Sequence, residues 1–202
     1  MSPHDAAAPD RHPDQLRWNA KYARGFAPSF APRQLAAEAL SMELPDGPVA
    51  DLACGPSGAA LLAASQGRQV IAVDVSDVAL GLLVAEARRR GLAHLITAVH
   101  ADLAAWRPEP SSYVLVIATG FWDAQVFPAA AGAVAPGGLL AWQAYTVAAR
   151  SAHPSLRPEW CLAPGQPASL LPADFTVIGQ RDEDLTRRLL TRRLLARRVS
   201  SA

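Results

Sequence analysis

The chain has 202 residues, half of them hydrophobic and 18% charged, which suits one compact domain able to bury a large core. With 19 Lys and Arg against 18 Asp and Glu, the formal net charge is +1, so no global field steers a polyanion and non-specific nucleic-acid binding is not expected. No run approaches the ~18 apolar residues of a membrane span, and the start has no apolar core behind basic residues. Cys54 and Cys161 lack metal-ligand spacing and cannot build a disulfide framework, which fits a reducing compartment. A soluble, cytoplasmic protein is expected.

Residues 1–13, with three prolines and no apolar periodicity, read as a disordered N-terminal tail. Asp14 can cap a helix carrying Leu16, Trp18 and Tyr22, which Gly25 stops; GFAPSFAP (25–32) reads as a hinge or cover strip with Phe26 and Phe30. Pro32 suits the first turn of a second helix to about Ser41. Val49–Cys54 is the first strand, apolar throughout as a central parallel strand must be. A helix over Gly58–Ser65 and a strand over Gln69–Asp74 follow, then a helix capped by Ser76 or Asp77 that runs to about Arg90, and a third strand over Ile96–His100. Tyr113–Thr119 is the fourth strand, a helix opens near Asp123 and runs to Val134, and Pro136-Gly137-Gly138 turns the chain into the fifth strand, Leu139–Tyr145.

Residues 147–173 hold five prolines and little periodicity, the pattern of an insertion or substrate wall containing short helical pieces. The remainder predicts a strand over Phe175–Gln180, a polar turn near Asp182–Asp184 and a returning strand near Arg187–Leu195. The alternation predicts a single α/β domain over 14–198, with N-terminal cover helices over 14–46. Its architecture is a Rossmann-like, doubly wound, mostly parallel seven-stranded sheet ending in an antiparallel hairpin.

The small residues of Asp51-Leu52-Ala53-Cys54-Gly55-Pro56-Ser57-Gly58 let backbone approach a ligand and let a helix start tightly against the strand. On its own glycines this loop also reads as a dinucleotide turn, Ala53-x-Gly55-x-x-Gly58, followed by an acid at Asp74. VADLACGPSG followed by VIAVDVS resembles motif I and the next strand end of class I S-adenosylmethionine-dependent methyltransferases, and in particular the small tellurite-resistance-like bacterial proteins. Ala53 and Ser57 stand where that family's motif has glycines. The resemblance runs from about Trp18 to the C-terminus, with Trp18 and Tyr22 at its W-x-x-x-Y element.

The resemblance implies the cofactor S-adenosyl-L-methionine. By it, Asp74 holds the ribose hydroxyls, Val75 packs on the adenine, Asp102 and Leu103 take the adenine amino group and ring, and Asp51 sits near the methionine amino group. Tyr22, Ala53, Gly55 and Thr119 complete the expected cofactor site. Beyond the fourth strand, Asp123 is a candidate to accept a substrate proton or to cap the next helix, while Phe121, Trp122 and Tyr145 are candidate walls, Tyr145 also a candidate catalytic residue. Trp160 and Cys161 are candidates for the pocket lining or for a satellite cluster. The absence of an N-P-P-Y or D-P-P-Y motif argues against DNA or a glutamine amide as acceptor. The five histidines show no ligand spacing, so no metal is predicted, and His100 is expected to be hydrogen-bonded at a strand end.

The expected function is methyl transfer to a small-molecule acceptor by in-line displacement; oligomeric state is open. An NAD(P)-dependent oxidoreductase is the alternative, weakened by the acid after the third strand. A non-catalytic cofactor- or RNA-binding module would rest on the arginine pairs 187/188, 192/193 and 197/198, whose bland reading is an arginine-flanked edge strand.

Overall fold

A computed structural model of the chain describes residues 12–23, 27–184 and 190–200. Gly25 and Phe26, Arg187 and Arg188, and most of the expected tail lie outside these residues. The helices are α1 (Pro13–Ala23), α2 (Gln34–Ser41), α3 (Gly58–Ser65), α4 (Asp77–Arg89) and α5 (Val126–Gly132). The strands are β1 (Val49–Leu52), β2 (Val70–Asp74), β3 (Ile96–His100), β4 (Tyr113–Thr119), β5 (Val134–Tyr145), β6 (Phe175–Asp184) and β7 (Leu190–Arg198).

They form one seven-stranded sheet in the order β3-β2-β1-β4-β5-β7-β6. The first five strands are parallel, and β7 and β6 add an antiparallel pair at the edge, as expected. Chain order reverses between β1 and β4, the switch point at which an open α/β sheet leaves a crevice beyond its strand ends.

The two-residue period of each strand divides the core. Ala50, Leu52, Val73, Val116, Ala118, Leu140 and Trp142 face one layer with Phe127 and Ala130 of α5. Val49, Val70, Ala72, Leu115, Ile117, Leu139 and Ala141 face the other, with Leu35 of α2, Leu61 of α3 and Leu83 of α4. Leu194 and Leu195, adjacent on β7, enter opposite layers.

Several boundaries differ from the sequence reading. β1 ends at Leu52, because Ala53 and Gly55 take left-handed φ values of +47° and +58°. β5 begins at Val134, which pairs with Tyr113 ahead of a register shift; the strand therefore carries the Pro-Gly-Gly segment within it, and α5 stops at Gly132. β6 continues through the expected turn at Asp182–Asp184, because Asp182 lies opposite Arg192 and its carboxylate takes the guanidinium at 2.5 and 2.9 Å. β7 runs on to Arg198. At the other end, Asp14 lies in the first turn of α1 rather than capping it: its N–H donates to His12 Nδ1 at 3.3 Å, with Pro13 as the first helical residue.

The strip before α2 crosses directly over the start of α3. A Cβ on Gly58 would lie 2.4 Å from the Ala31 carbonyl carbon and 2.5 Å from the Pro32 nitrogen. Backbone cannot yield as a side-chain tip can, so Gly58→Ala is expected to lower unfolding free energy by about 1–3 kcal/mol, read by urea denaturation. An unchanged midpoint would show that the strip is not held there.

Candidate active site

The ends of β1 to β5 open into one cavity of about 880 Å³, at the upper end of the range typical of ligand pockets. Its floor is the β1–α3 loop. Ser57 caps α3, its hydroxyl accepting from the Ala60 N–H at 3.0 Å, and donates to Asp51 Oδ2. Serine at a motif glycine position thus does two jobs that glycine cannot. Asp51 is only 2% exposed and lies beneath the loop, outside the cavity lining. Burial pushes its carboxyl up to about 7, the nearby Asp74 adding to the rise and the Ser57 hydrogen bond opposing it.

Asp74, at the end of β2, ties the floor to the neighbouring turn. Its Oδ2 accepts from the Gly55 N–H and its Oδ1 from the Ser76 N–H, both at 2.7 Å. Burial raises this carboxyl too, against the two N–H bonds. Ser76 caps α4, its hydroxyl accepting from Ala79. His100 Nε2 lies 3.0 Å from the Val75 carbonyl, the hydrogen-bonded strand-end histidine that was expected. Asp102 holds the Ala104 N–H at 3.0 Å and stands 3.8 Å from His12 Nε2.

α1 is the roof. Asn19 reads the start of α4 from both ends of its amide: Nδ2 donates to Asp77 Oδ1 at 2.7 Å, and Oδ1 accepts from the Ser76 hydroxyl at 2.6 Å. This docking sets Trp18 and Tyr22, stacked at 5.9 Å, over the cavity, with the Tyr22 hydroxyl 3.0 Å from where a Gly55 Cβ would sit. Burial, then the Asp74 carboxylate, pushes the Tyr22 phenol up to about 12, so it is a neutral donor. Arg17 places its guanidinium over Trp160 at 4.2 Å, joining the roof to the wall that follows β5. That wall contains short 3₁₀ turns and returns to the sheet where Leu162 donates to the Tyr145 carbonyl at 2.8 Å.

Of the candidate cofactor and catalytic residues, Tyr22, Ala53, Gly55, Asp74, Val75, Asp102, Leu103, Thr119, Asp123 and Tyr145 line this cavity, and Asp51 does not. Asp123 spends Oδ1 on the N–H groups of Gln125 and Val126 at the start of α5, the helix-capping alternative. Trp122 reaches the cavity edge yet is 4% exposed, packed against Phe127 and Trp142, so it is mainly core. Trp142 Nε1 donates to the Phe121 carbonyl at 2.9 Å and pins the loop beyond β4. Cys161 is buried, its thiol on the Arg157 carbonyl, while Trp160 faces the cavity.

Sequence reasoning missed Asn19, Arg17, Lys21 and Arg33. The first three are ordinary helix-surface residues until α1 is folded over the sheet, and Arg33 is an ordinary residue ahead of α2. The described edge arginines are internal ties. Arg192 and Arg198 hold Asp182 and Asp174, Arg193 is buried between Glu38 and Glu183, and Arg197 donates to the Gly137 and Glu43 carbonyls.

Residues 49–138 match the family model of a methyltransferase domain. Curated protein sequences gave no match. Solved structures share the fold at low identity, among them the following three. One concerns conversion of a disulfide bond into a thioacetal group during echinomycin biosynthesis (TM-score 0.69, 17% identity, 94% of each chain). Another is geranyl diphosphate C-methyltransferase from Streptomyces coelicolor A3(2), with Mg2+, geranyl diphosphate and S-adenosyl-L-homocysteine (TM-score 0.66, 12% identity, 82% of this chain and 76% of that one). The third is a Haemonchus contortus phosphoethanolamine N-methyltransferase with phosphomonomethylethanolamine and S-adenosylhomocysteine (TM-score 0.66, 17% identity, 85% of this chain and 54% of that one). Among the described residues no helix is long and apolar enough to cross a membrane.

Proposed function

We propose that this chain, whose residues 49–138 match a methyltransferase-domain model, is a class I S-adenosylmethionine-dependent methyltransferase that transfers the methyl group to a small organic molecule bound between the β4 and β5 ends and the Trp160 wall. The observation that carries this reading is Asp74: a buried carboxylate at the end of β2, bonded to the Gly55 N–H of the motif loop and facing the cavity. A carboxylate offers about four lone-pair positions, so two backbone N–H bonds leave room for a pair of ribose hydroxyls. The left-handed Gly55 keeps open the space that a side chain would fill against Tyr22. These features fit an adenosyl-amino-acid ligand.

In this reading Val75 and Leu103 hold the adenine, Asp102 its amino group, Asp74 the ribose, and Ala53, Gly55, Thr119 and Tyr22 the methionine part. Asp51 acts from below, holding the loop through Ser57. When bound, S-adenosylmethionine supplies an electrophilic methyl on a sulfonium whose positive charge is lost on transfer. The chain therefore has to align the acceptor and keep water away. Phe121, Tyr145, Leu156 and Trp160 supply the apolar walls at that end. Asp123 and Tyr145 remain the candidates to take a proton from the acceptor.

Calorimetric titration with S-adenosylmethionine, S-adenosylhomocysteine and NAD tests the reading. Saturable heat is expected from the first two alone. Heat from NAD alone, or no turnover of a metabolite panel by the cofactor-loaded protein, would overturn it.

A further inference from the structure

We infer that the methyl acceptor is an organic anion, an apolar body bearing a carboxylate or phosphate group, and that Arg33 is the residue that holds the anion; this rests on the function proposed above. Four carboxylates line the cavity, and each is already engaged by the chain itself. Asp14 pairs with Arg17 at 3.2 Å, Asp74 takes two loop N–H groups, Asp102 takes that of Ala104, and Asp123 caps α5.

Among the cations that line the same cavity, Arg33 is held differently from its neighbours. Arg17 is held by Asp14 and lies against the Trp160 ring. Lys21 sits over the Trp18 ring at 4.3 Å, and its ammonium is pushed below its ordinary range by burial and then by the charges of Arg17 and Arg33. Among the described residues the Arg33 guanidinium has neither a hydrogen bond nor an ion pair. It projects from just before α2 into the cavity, with Nη2 3.8 Å from the position a Gly120 Cβ would take. Gly120 directly follows β4, beside Phe121, and its N–H donates to Gln143 of β5 at 2.7 Å, two residues before Tyr145; Phe121, Tyr145 and Trp160 line the same cavity. A planar guanidinium placed there offers a carboxylate or phosphate two parallel N–H bonds. An apolar body would then lie along the aromatic wall, its charge fixed at the Arg33 end.

The test uses the full chain saturated with S-adenosylhomocysteine and titrated with benzoate and phenyl phosphate, and with benzamide and phenol as neutral counterparts. At least one anion is expected to bind about tenfold or more tightly than its counterpart, and Arg33→Gln to remove that advantage. The variant is expected to keep its S-adenosylhomocysteine affinity within about threefold, and Arg33→Lys to recover part of the anion affinity. Equal binding of neutral and anionic probes, no binding of either anion, or an unchanged Arg33→Gln variant would overturn the inference. So would a tenfold loss of S-adenosylhomocysteine affinity in Arg33→Gln, which would place Arg33 on the cofactor's own carboxylate. Failure of the wild-type chain to bind S-adenosylhomocysteine at all would instead reject the parent function, and this inference with it.

Discussion

Replacing Asp74 with alanine is expected to weaken S-adenosylhomocysteine binding by about 10²–10⁴-fold. Hydrogen bonds to a charged group are each worth about 1.5–3 kcal/mol, and the proposed site uses two of them on the ribose. The same substitution also frees the Gly55 and Ser76 N–H groups that Asp74 now holds at 2.7 Å, so the loop loses its tie to β2. Calorimetry on a variant with unchanged far-UV circular dichroism reads the effect. Asp74→Asn, which keeps one carbonyl acceptor, should fall between. Affinity for Asp74→Ala within about threefold of wild type would remove Asp74 from the ligand site and take the proposed function's main support with it.

The second large effect is on stability. In the unfolded chain Asp51 titrates at about 3.9, as a model carboxyl does. In the folded chain burial raises it to about 7. Between these values the native state binds the proton that the unfolded state has released, so stability falls as pH rises from about 4 to about 7 and then levels. Asp74, also raised, acts in the same direction. The Asp51 share is on the order of 4 kcal/mol. Asp51→Asn keeps an acceptor for the Ser57 hydroxyl but has no proton to lose, so its denaturation midpoint should decline distinctly less over this range. Parallel pH profiles for the two proteins would show that Asp51 is not protonated in the folded state.

Much of this was legible in the chain because it is local chemistry. The apolar runs of β1 and β4 mark strands covered on both faces, and Ser57 and Ser76 mark helix starts by the bonds a hydroxyl makes three residues on. Asp74 and Asp102 fall at successive strand ends, so a doubly wound sheet must bring them to one side. The polar residues Asp182–Asp184 misled because a strand and a turn both tolerate them. The choice fell to Arg192 on a neighbouring strand, ten residues away.

The sequence by itself determined the alternation of strands and helices, the loop after β1 and the acids around it, since each depends on neighbours within a few residues or on a two-residue period. Only the tertiary structure decided what those acids face. In the sequence Asp51, ahead of the loop, and Asp74, at the next strand end, are both acids beside the motif, yet one is sealed under Ser57 and the other opens to the cavity. The packing of α1 on α4 and of the 27–32 strip on Gly58 likewise decided that Tyr22 and Arg33 hang over the same space. Contacts between residues so far apart in the chain leave no local periodicity, and their energy comes from burial and hydrogen bonds that exist only once the roof has closed.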